Sequence, residues 1–164
     1  MNPMAKPVAL HTLRIPPHHL ESEQAVLGAL MLRPAAVHEI ADMLTPEMFY
    51  AKKHGLIYQT IMELSMKGEP IDVLSLAAKL KDKKMIQEIG GNTYLNDLMS
   101  GVPSTVNIRH YAEIVYKKFI LRSLIDASEQ IASLAYEEND MDAATILDTA
   151  EKNIFRISSS LNVK

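Results

Sequence analysis

Apolar residues in the first two thirds of the chain recur at intervals of three and four positions, as they do along one face of a helix. Leu20, Leu27 and Met31, for example, are separated by seven and then four residues. No segment shows the sustained alternation of apolar and polar residues, with β-branched enrichment, that is typical of a strand. The pattern therefore predicts an all-α protein.

Glycine and proline divide this part of the chain into several short helices. All 6 Gly and all 8 Pro lie at or before Pro103. Glycine favours the left-handed end of a helix, whereas Asp or Ser can cap a helix start. The predicted helix stops are Gly68, Gly90 and Gly101, and the predicted N-caps are Asp72 and Ser104. Residues 15–103 are thus expected to form a helical head, preceded by a flexible tail over residues 1–14.

No glycine or proline follows Pro103, and a polar interruption at residues 137–140 divides the remainder into two long helices. The first, about Ser104 to Glu137, would be roughly 50 Å long and must extend beyond a small head. The second has the narrow seam of coiled-coil-like packing at Ala143, Leu147, Ala150, Ile154, Ile157 and Leu161. Residues 104–160 are therefore predicted to form a protruding helical hairpin, and residues 161–164 to begin a linker.

The apolar residues of the two long helices cover more arc than one helix–helix contact can bury. An apolar surface of this kind, left exposed, usually marks a protein interface. The residues expected to supply hairpin packing and contacts between two chains are Leu124, Ile125, Ile131, Leu134, Ile146 and Phe155. The alternative is that the hairpin folds back on the head and completes one compact bundle.

The composition limits the partners. The 164 residues are 48% hydrophobic and 23% charged, as in an ordinary globular protein. With 17 basic and 20 acidic residues, the net charge of -3 provides no broad positive field, so little direct binding to nucleic acid is expected.

The chain has no cysteine, which is typical of a reducing compartment, and we expect a cytoplasmic location. The longest apolar run, Ala25 to Leu32, is too short to span a membrane.

The sequence lacks the motifs of common catalytic sites. No glycine-rich phosphate loop occurs, so no catalytic or cofactor-binding residue is predicted. His38, Glu39 and Asp42 resemble a zinc-binding helix in which Asp replaces the second His, and a structural role is the preferred interpretation. A small all-α metal-dependent enzyme built on these three residues and a distant His is the alternative. The carboxylates of Glu21 and Glu23 are expected in solvent and apart from one another.

Seven short fragments follow one another along nearly the whole chain, from Arg14 to Ser159. They are Arg14-Ile15-Pro16-Pro17 with Leu20-Glu21-x-Glu23-Gln24-x-Val26-Leu27-Gly28, Phe49-Tyr50-x-x-x-His54, Gly68-Glu69-Pro70-Ile71-Asp72, Glu88-x-Gly90-Gly91-x-x-Tyr94-Leu95, Val102-Pro103-Ser104-x-x-Asn107-Ile108-x-x-Tyr111-Ala112-x-Ile114-Val115, Leu121-Arg122-x-Leu124-Ile125 and Ala150-Glu151-x-x-Ile154-Phe155. In this order they resemble the N-terminal domain of bacterial replicative DNA helicases of the DnaB type.

The resemblance implies a head of short helices bearing a hairpin, hairpins that pair between two chains, and a collar of six copies arranged as a trimer of dimers. It also implies docking of the C-terminal helicase-binding domain of primase and contacts with a helicase loader. In the family, ATP, Mg and strand separation belong to a following RecA-like motor domain, which is expected outside this sequence. The present chain is therefore expected to be non-catalytic by itself.

The sequence departs from the family pattern at Tyr116-Lys117-Lys118, where many relatives are acidic. This difference lies where the first hairpin helix should leave the head, so primase contacts are not transferred residue by residue. Two further interpretations are a stand-alone helicase-associated regulator and a generic helical DNA-binding domain.

Overall fold

The computed structural model describes residues 14–103, 107–137 and 140–160. These residues form seven α-helices and no strand, which confirms the all-α prediction for the described ranges. The helices are α1 (Leu20–Leu32), α2 (Val37–Ile40), α3 (Lys52–Met66), α4 (Val73–Asp82), α5 (Gly91–Ser100), α6 (Ile108–Tyr136) and α7 (Ala143–Ser160). Two 3-10 turns lie at Pro34–Ala36 and Pro46–Met48. Residues 1–13 of the predicted tail, the predicted linker with Leu161, and Ser104 fall outside the described residues.

Helix α1 lies at the centre of the head, where it packs against α3, α5 and α6. Eight of its 13 residues are buried, so little of the helix faces solvent. Val26, Leu27 and Leu30 are completely inaccessible. The head is therefore organised around α1, and the outer helices cover it from several sides.

The starts of α4 and α6 are capped by short polar side chains. Asp72 accepts a hydrogen bond from the backbone N–H of Ser75 at 2.7 Å and begins α4. Helix α6 begins later than expected, because Asn107 accepts from the N–H of His110 and caps it. Ser104, the expected cap, lies outside the described residues.

The glycines expected to end helices have three different settings. Gly68 follows α3 with φ +68°, a conformation that glycine adopts without strain. Gly90, with φ +98°, ends a turn over residues 86–90 and immediately precedes α5, so the prediction that it stops a helix is wrong. Gly101 lies at the C-terminal cap of α5 with an ordinary right-handed φ of −82°.

Helix α6 belongs to two bodies at once. Its 29 residues span about 44 Å at the usual rise of an α-helix. Ile108, Ala112 and Val115 are buried in its first half, which packs on α1 and α2, whereas Ala127 is the buried residue of its second half. That second half packs against α7, which contains no fully buried residue. The hairpin therefore protrudes from the head instead of completing a compact bundle.

Candidate functional site

The face of α7 that packs on α6 is defined by its half-buried residues. Five of them share one side of the helix, namely Ile146, Thr149, Ala150, Asn153 and Ile157, whereas half-buried Ser159 lies off this face near the helix end. On α6, buried Ala127 and half-buried Ile131 and Leu134 occupy the corresponding face. A small residue at the centre of this contact lets the two helices approach closely.

This packing corrects the predicted seam. Leu147 is 63% exposed and Ile154 is also exposed, although both were expected to lie between the helices. Ile146, expected outside the seam, is instead half-buried. The packing face is rotated because polar Thr149 and Asn153 share it, and a search for the most apolar stripe overlooks such residues.

One side of the hairpin exposes large apolar side chains. On α6, Leu124 and Ile125 are exposed beside a shallow depression that also includes Leu121. At 100° per residue, Leu124 lies about 50° and Leu147 about 100° from the centre of the packing face of its own helix, on the same side of the antiparallel pair. We define the apolar hairpin face as Leu121, Leu124, Ile125, Leu147 and Ile154. Phe155 is exposed on the outer side of α7, opposite its packing face.

The opposite side of the hairpin is polar. A shallow groove there is lined by Asp126, Glu129, Gln130, Ser133, Leu134, Glu137, Thr149 and Asn153. The hairpin therefore presents two chemically different sides, and Leu124, Leu147 and Ile154 lie on the side away from this groove.

The six residues expected to form the interface do not share one surface. Leu124, Ile125 and Phe155 are exposed, and the phenylalanine shows 67% of its surface. Ile131, Leu134 and Ile146 are half-buried on the packing faces of the two helices. The first three are available to a partner, whereas the other three stabilise the hairpin itself.

The base of the hairpin is tied to the head by Arg122. Its Nη1 donates to the carbonyl oxygen of Pro17 at 2.7 Å, and its Nη2 donates to that of Met48 at 2.9 Å. The guanidinium also lies over the ring of Tyr50, 5.4 Å from its centroid. Burial lowers the pKa of Arg122, and the charge of Glu23 opposes that shift. Arg122 thus joins two segments of the head, one at Pro17 and one over Met48 to Tyr50, to α6 near the point where the helix leaves the head.

A buried polar network lies beneath this junction. Glu23 is 2% exposed, and its carboxylate accepts hydrogen bonds from His54 Nδ1 at 2.8 Å and from the backbone N–H groups of Tyr50 and Ala51. The hydroxyl of Tyr94 donates to His54 Nε2, 2.5 Å away, in the tautomer that this arrangement requires.

The prediction that Glu23 lies in solvent is therefore wrong. It fails because α1 is buried on nearly all sides, so a position that appears polar on a helical wheel is enclosed. Residue chemistry alone also overlooked His54. The sequence did contain one indication of this network. Glu23, His54 and Tyr94 all belong to the seven fragments that resemble the DnaB-type N-terminal domain.

One of the three candidate metal residues, Glu39, is engaged with arginines. Glu39 forms an ion pair with Arg33 at 3.6 Å, and its backbone carbonyl accepts from Arg109. Within residues 14–103, 107–137 and 140–160, no cluster of three or more His, Cys, Asp or Glu side chains is arranged to hold a metal ion. None of the helices in these ranges is long and apolar enough to cross a bilayer.

The chain matches known proteins over most of its length. A family model described as the DnaB-like helicase N terminal domain matches residues 15–117. The replicative DNA helicase DnaC of Bacillus subtilis is 38% identical over 149 residues, which cover 91% of this chain and 33% of that protein. This chain thus spans about a third of the length of that curated relative.

Two solved structures share the fold. The N-terminal domain of DnaB helicase from Mycobacterium tuberculosis superposes with a TM-score of 0.82 at 35% identity, covering 87% of this chain and 99% of that one. A DnaB-like replicative helicase, described together with its interactions with primase, gives a TM-score of 0.72 at 30% identity. That match covers 87% of this chain and 31% of the helicase.

Proposed function

The chain belongs to the DnaB-like helicase N-terminal domain family, and we propose that it is the assembly and primase-docking domain of a replicative DNA helicase. The observation that carries this proposal is the apolar hairpin face, which no other element of the described chain covers. A hairpin that only stabilised its own head would not need Leu147 and Phe155 in solvent.

The proposed assembly begins with a dimer formed through the apolar hairpin faces of two copies. Both faces are the same surface, so a two-fold axis can bury each against the other. Three such dimers would form the six-membered collar of the full-length helicase. Domain boundaries near residues 15–103 for the head and 104–160 for the hairpin suit this division of roles.

Primase is the proposed partner of the assembled collar. A structural relative at 30% identity is described with its interactions with primase, which supports the same role for this chain. We propose that the C-terminal helicase-binding domain of primase docks on the collar, and that a helicase loader also contacts it.

Unwinding chemistry is assigned to a motor domain and not to this domain. ATP and Mg would act in that motor, while this domain supplies geometry and binds partners. Its acidic balance supports little direct binding to nucleic acid, and a role at the replication fork places it in the cytoplasm.

The proposal is tested by placing charges on the apolar hairpin face. Leu124→Asp combined with Leu147→Asp should convert a dimer into a monomer in sedimentation velocity, since a buried unpaired carboxylate is strongly unfavourable. Gln130→Asp with Ser133→Asp, on the polar side of α6, is the matched control and should keep the dimer. Circular dichroism should show equal helix content in all three proteins.

A wild-type chain that stays monomeric over the accessible concentrations, or a charged variant that keeps the dimer mass, would contradict the proposed assembly. Ile131 and Leu134 are poor choices for this test, because they are half-buried and charging them would open the hairpin itself. The docking role is tested by adding a C-terminal primase fragment, which should increase the sedimenting mass of the wild-type assembly.

A further inference from the structure

A cavity of about 500 Å³ opens in the head between α1, α5 and the start of α6. Its apolar walls include Ala25, Leu98 and Val102, and the rings of Tyr94 and Tyr111 line its sides. The residues that line the cavity differ from those of the apolar hairpin face, which lies on the second half of α6 and on α7. The cavity is therefore a separate surface that assembly through the hairpin does not use.

The charged residues that line this cavity are acidic. Glu21 and Asp97 are the charged residues among its lining, and no lysine or arginine lines it within the described chain. Asp97 and Gly101 lie at the C-terminal end of α5, whose last turn contains no basic residue. Because the C-terminus of a helix carries a partial negative charge, the helix end adds to the two carboxylates.

Tyr94 is fixed in place before any ligand arrives. Its hydroxyl donates to His54 and accepts from Gln24 Nε2 at 3.3 Å, and His54 is in turn held by buried Glu23. The ammonium of Lys53 already lies 3.9 Å from the centroid of the Tyr94 ring. The tyrosine is thus oriented by the buried network, and its ring already takes part in one cation–π contact.

The wall between α1 and α5 is also closely packed. A Cβ added to Gly28 of α1 would overlap the carbonyl oxygen of Leu98 and the side chain of Val102. Both of these residues line the cavity. The shape of the cavity is therefore set by packing within the head. A ligand would bind without the entropic cost of ordering the cavity walls.

We propose that this cavity receives an arginine or lysine side chain carried by a segment of a protein partner. Such a side chain has an apolar stem, which suits the floor of Ala25 and Leu98, and a cationic end, which suits Glu21 and Asp97. Phosphate-bearing ligands are disfavoured by the same two carboxylates. The partner segment is thus a basic one with apolar neighbours.

The test uses the isotope-labelled chain and two short peptides in NMR titrations. Acetyl-Leu-Arg-Leu-amide should shift the amide resonances of Tyr94, Asp97, Gly101 and Tyr111 and should approach saturation in the millimolar range. The citrulline analogue has the same shape without the charge and should bind about tenfold more weakly.

Neutralising the cavity gives the second arm. Asp97→Asn combined with Glu21→Gln should weaken the arginine peptide about tenfold and bring it close to the citrulline peptide. Asp148→Asn with Glu39→Gln removes two carboxylates elsewhere on the surface and should leave the affinity unchanged. Raised salt should weaken the arginine peptide and hardly affect the analogue.

Three results would overturn the proposal: equal affinity for the citrulline peptide, shifts confined to residues outside the cavity, or no shift at all. If the cavity resonances instead move with protein concentration in the absence of peptide, the occupant is a second copy of the chain, and the proposal is also wrong. None of these results bears on the hairpin dimer. That dimer is tested separately, by sedimentation of the variant that combines Leu124→Asp with Leu147→Asp.

Discussion

The guanidinium of Arg122 donates a hydrogen bond to the carbonyl oxygen of Pro17 across 105 positions of the chain, at 2.7 Å. Pro17 belongs to the segment before α1, whereas Arg122 belongs to the helix that leaves the head. A second donated bond, to Met48, ties the same guanidinium to the 3-10 turn at Pro46–Met48. The direction of the hairpin is thus held by one side chain that binds backbone atoms of two other segments.

Arg122→Ala should lower the free energy of unfolding by about 2–3 kcal/mol, because two hydrogen bonds from a charged donor are lost. Arg122→Lys should recover less than half of this, since a single ammonium lacks the planar fork that serves both carbonyls. Urea denaturation measures both effects. Arg156→Ala is the matched control, because that exposed arginine bonds only within α7 and its loss should change stability little.

Arg122→Ala should also loosen the orientation of the hairpin relative to the head. A side chain that only contributed stability would not have this effect. Because the chain has no cysteine, spin labels at Lys67→Cys in the head and Ser133→Cys in the hairpin report one distance when they are placed in the monomeric Leu124→Asp, Leu147→Asp background. Arg122→Ala should broaden that distance distribution, whereas Arg156→Ala should leave it narrow. An unchanged distribution would mean that packing of α6 on α1 alone directs the hairpin.

Removal of the Glu23 carboxylate should destabilise the head by about 3 kcal/mol. Glu23→Ala leaves the N–H groups of Tyr50 and Ala51 and the His54 ring without their acceptor inside the core. Equilibrium unfolding in urea measures the loss, and Glu21→Ala, an exposed neighbour, should stay within about 0.5 kcal/mol of the wild type.

A double-mutant cycle separates this coupling from the loss of volume. Glu23→Ala with His54→Ala should cost clearly less than the sum of the single changes, because the second change removes a donor that the first has already orphaned. Strictly additive costs would show that the two side chains stabilise the head independently.

Periodicity and helix-breaking residues were sufficient to predict the all-α class and the long hairpin helices, because both depend on local spacing. They could not predict which side of α7 packs on α6. Leu147 and Ile154 form the more apolar stripe, yet Thr149 and Asn153 take part in the contact and the leucine is exposed. A sequence pattern locates an apolar face without stating whether it packs within one chain or against another.

Burial of Glu23 was missed for a related reason. Helical spacing describes one helix at a time, whereas the environment of Glu23 is created by another segment. Helix α3 brings His54 to the carboxylate, and the residues just before α3 bring two backbone N–H groups. The cavity beside Tyr94 was also missed, since it arises only when α1 and α5 meet. Contacts between distant segments set both features, and composition and spacing carry little information about them.

Gly28→Ala should lower the free energy of unfolding by about 2 kcal/mol, since the added methyl group would overlap Leu98 and Val102 and force α1 and α5 apart. Gly101→Ala is the matched control, because Gly101 has an ordinary φ and its Cβ would lie 3.1 Å from the nearest atom, the carbonyl oxygen of Asp97. In thermal or urea denaturation, the stability of Gly101→Ala should be much closer to that of the wild type than the stability of Gly28→Ala. Equal stability of Gly28→Ala and wild type would contradict the close approach of the two helices.

The start of α7 should respond to acid through Asp142. Its carboxylate accepts a hydrogen bond from the backbone N–H of Thr145 at 2.9 Å, and hydrogen bonding from Thr145 holds the pKa of Asp142 below its ordinary value of 3.8. Since the folded form has the lower pKa, the capping contribution is complete above the unfolded value and is lost as the pH falls through the folded one. The first turn of α7 should therefore fray as the pH drops below about 4.

The measurement is the pH dependence of the Thr145 amide resonance together with the helix content by circular dichroism. Asp142→Asn can still cap the helix but does not titrate, so the acid-induced change of the amide signal should disappear while the helix start remains. Asp142→Ala should fray the same turn at neutral pH. If the Asn variant showed the same acid transition as the wild type, a carboxylate other than Asp142 would control the start of the helix.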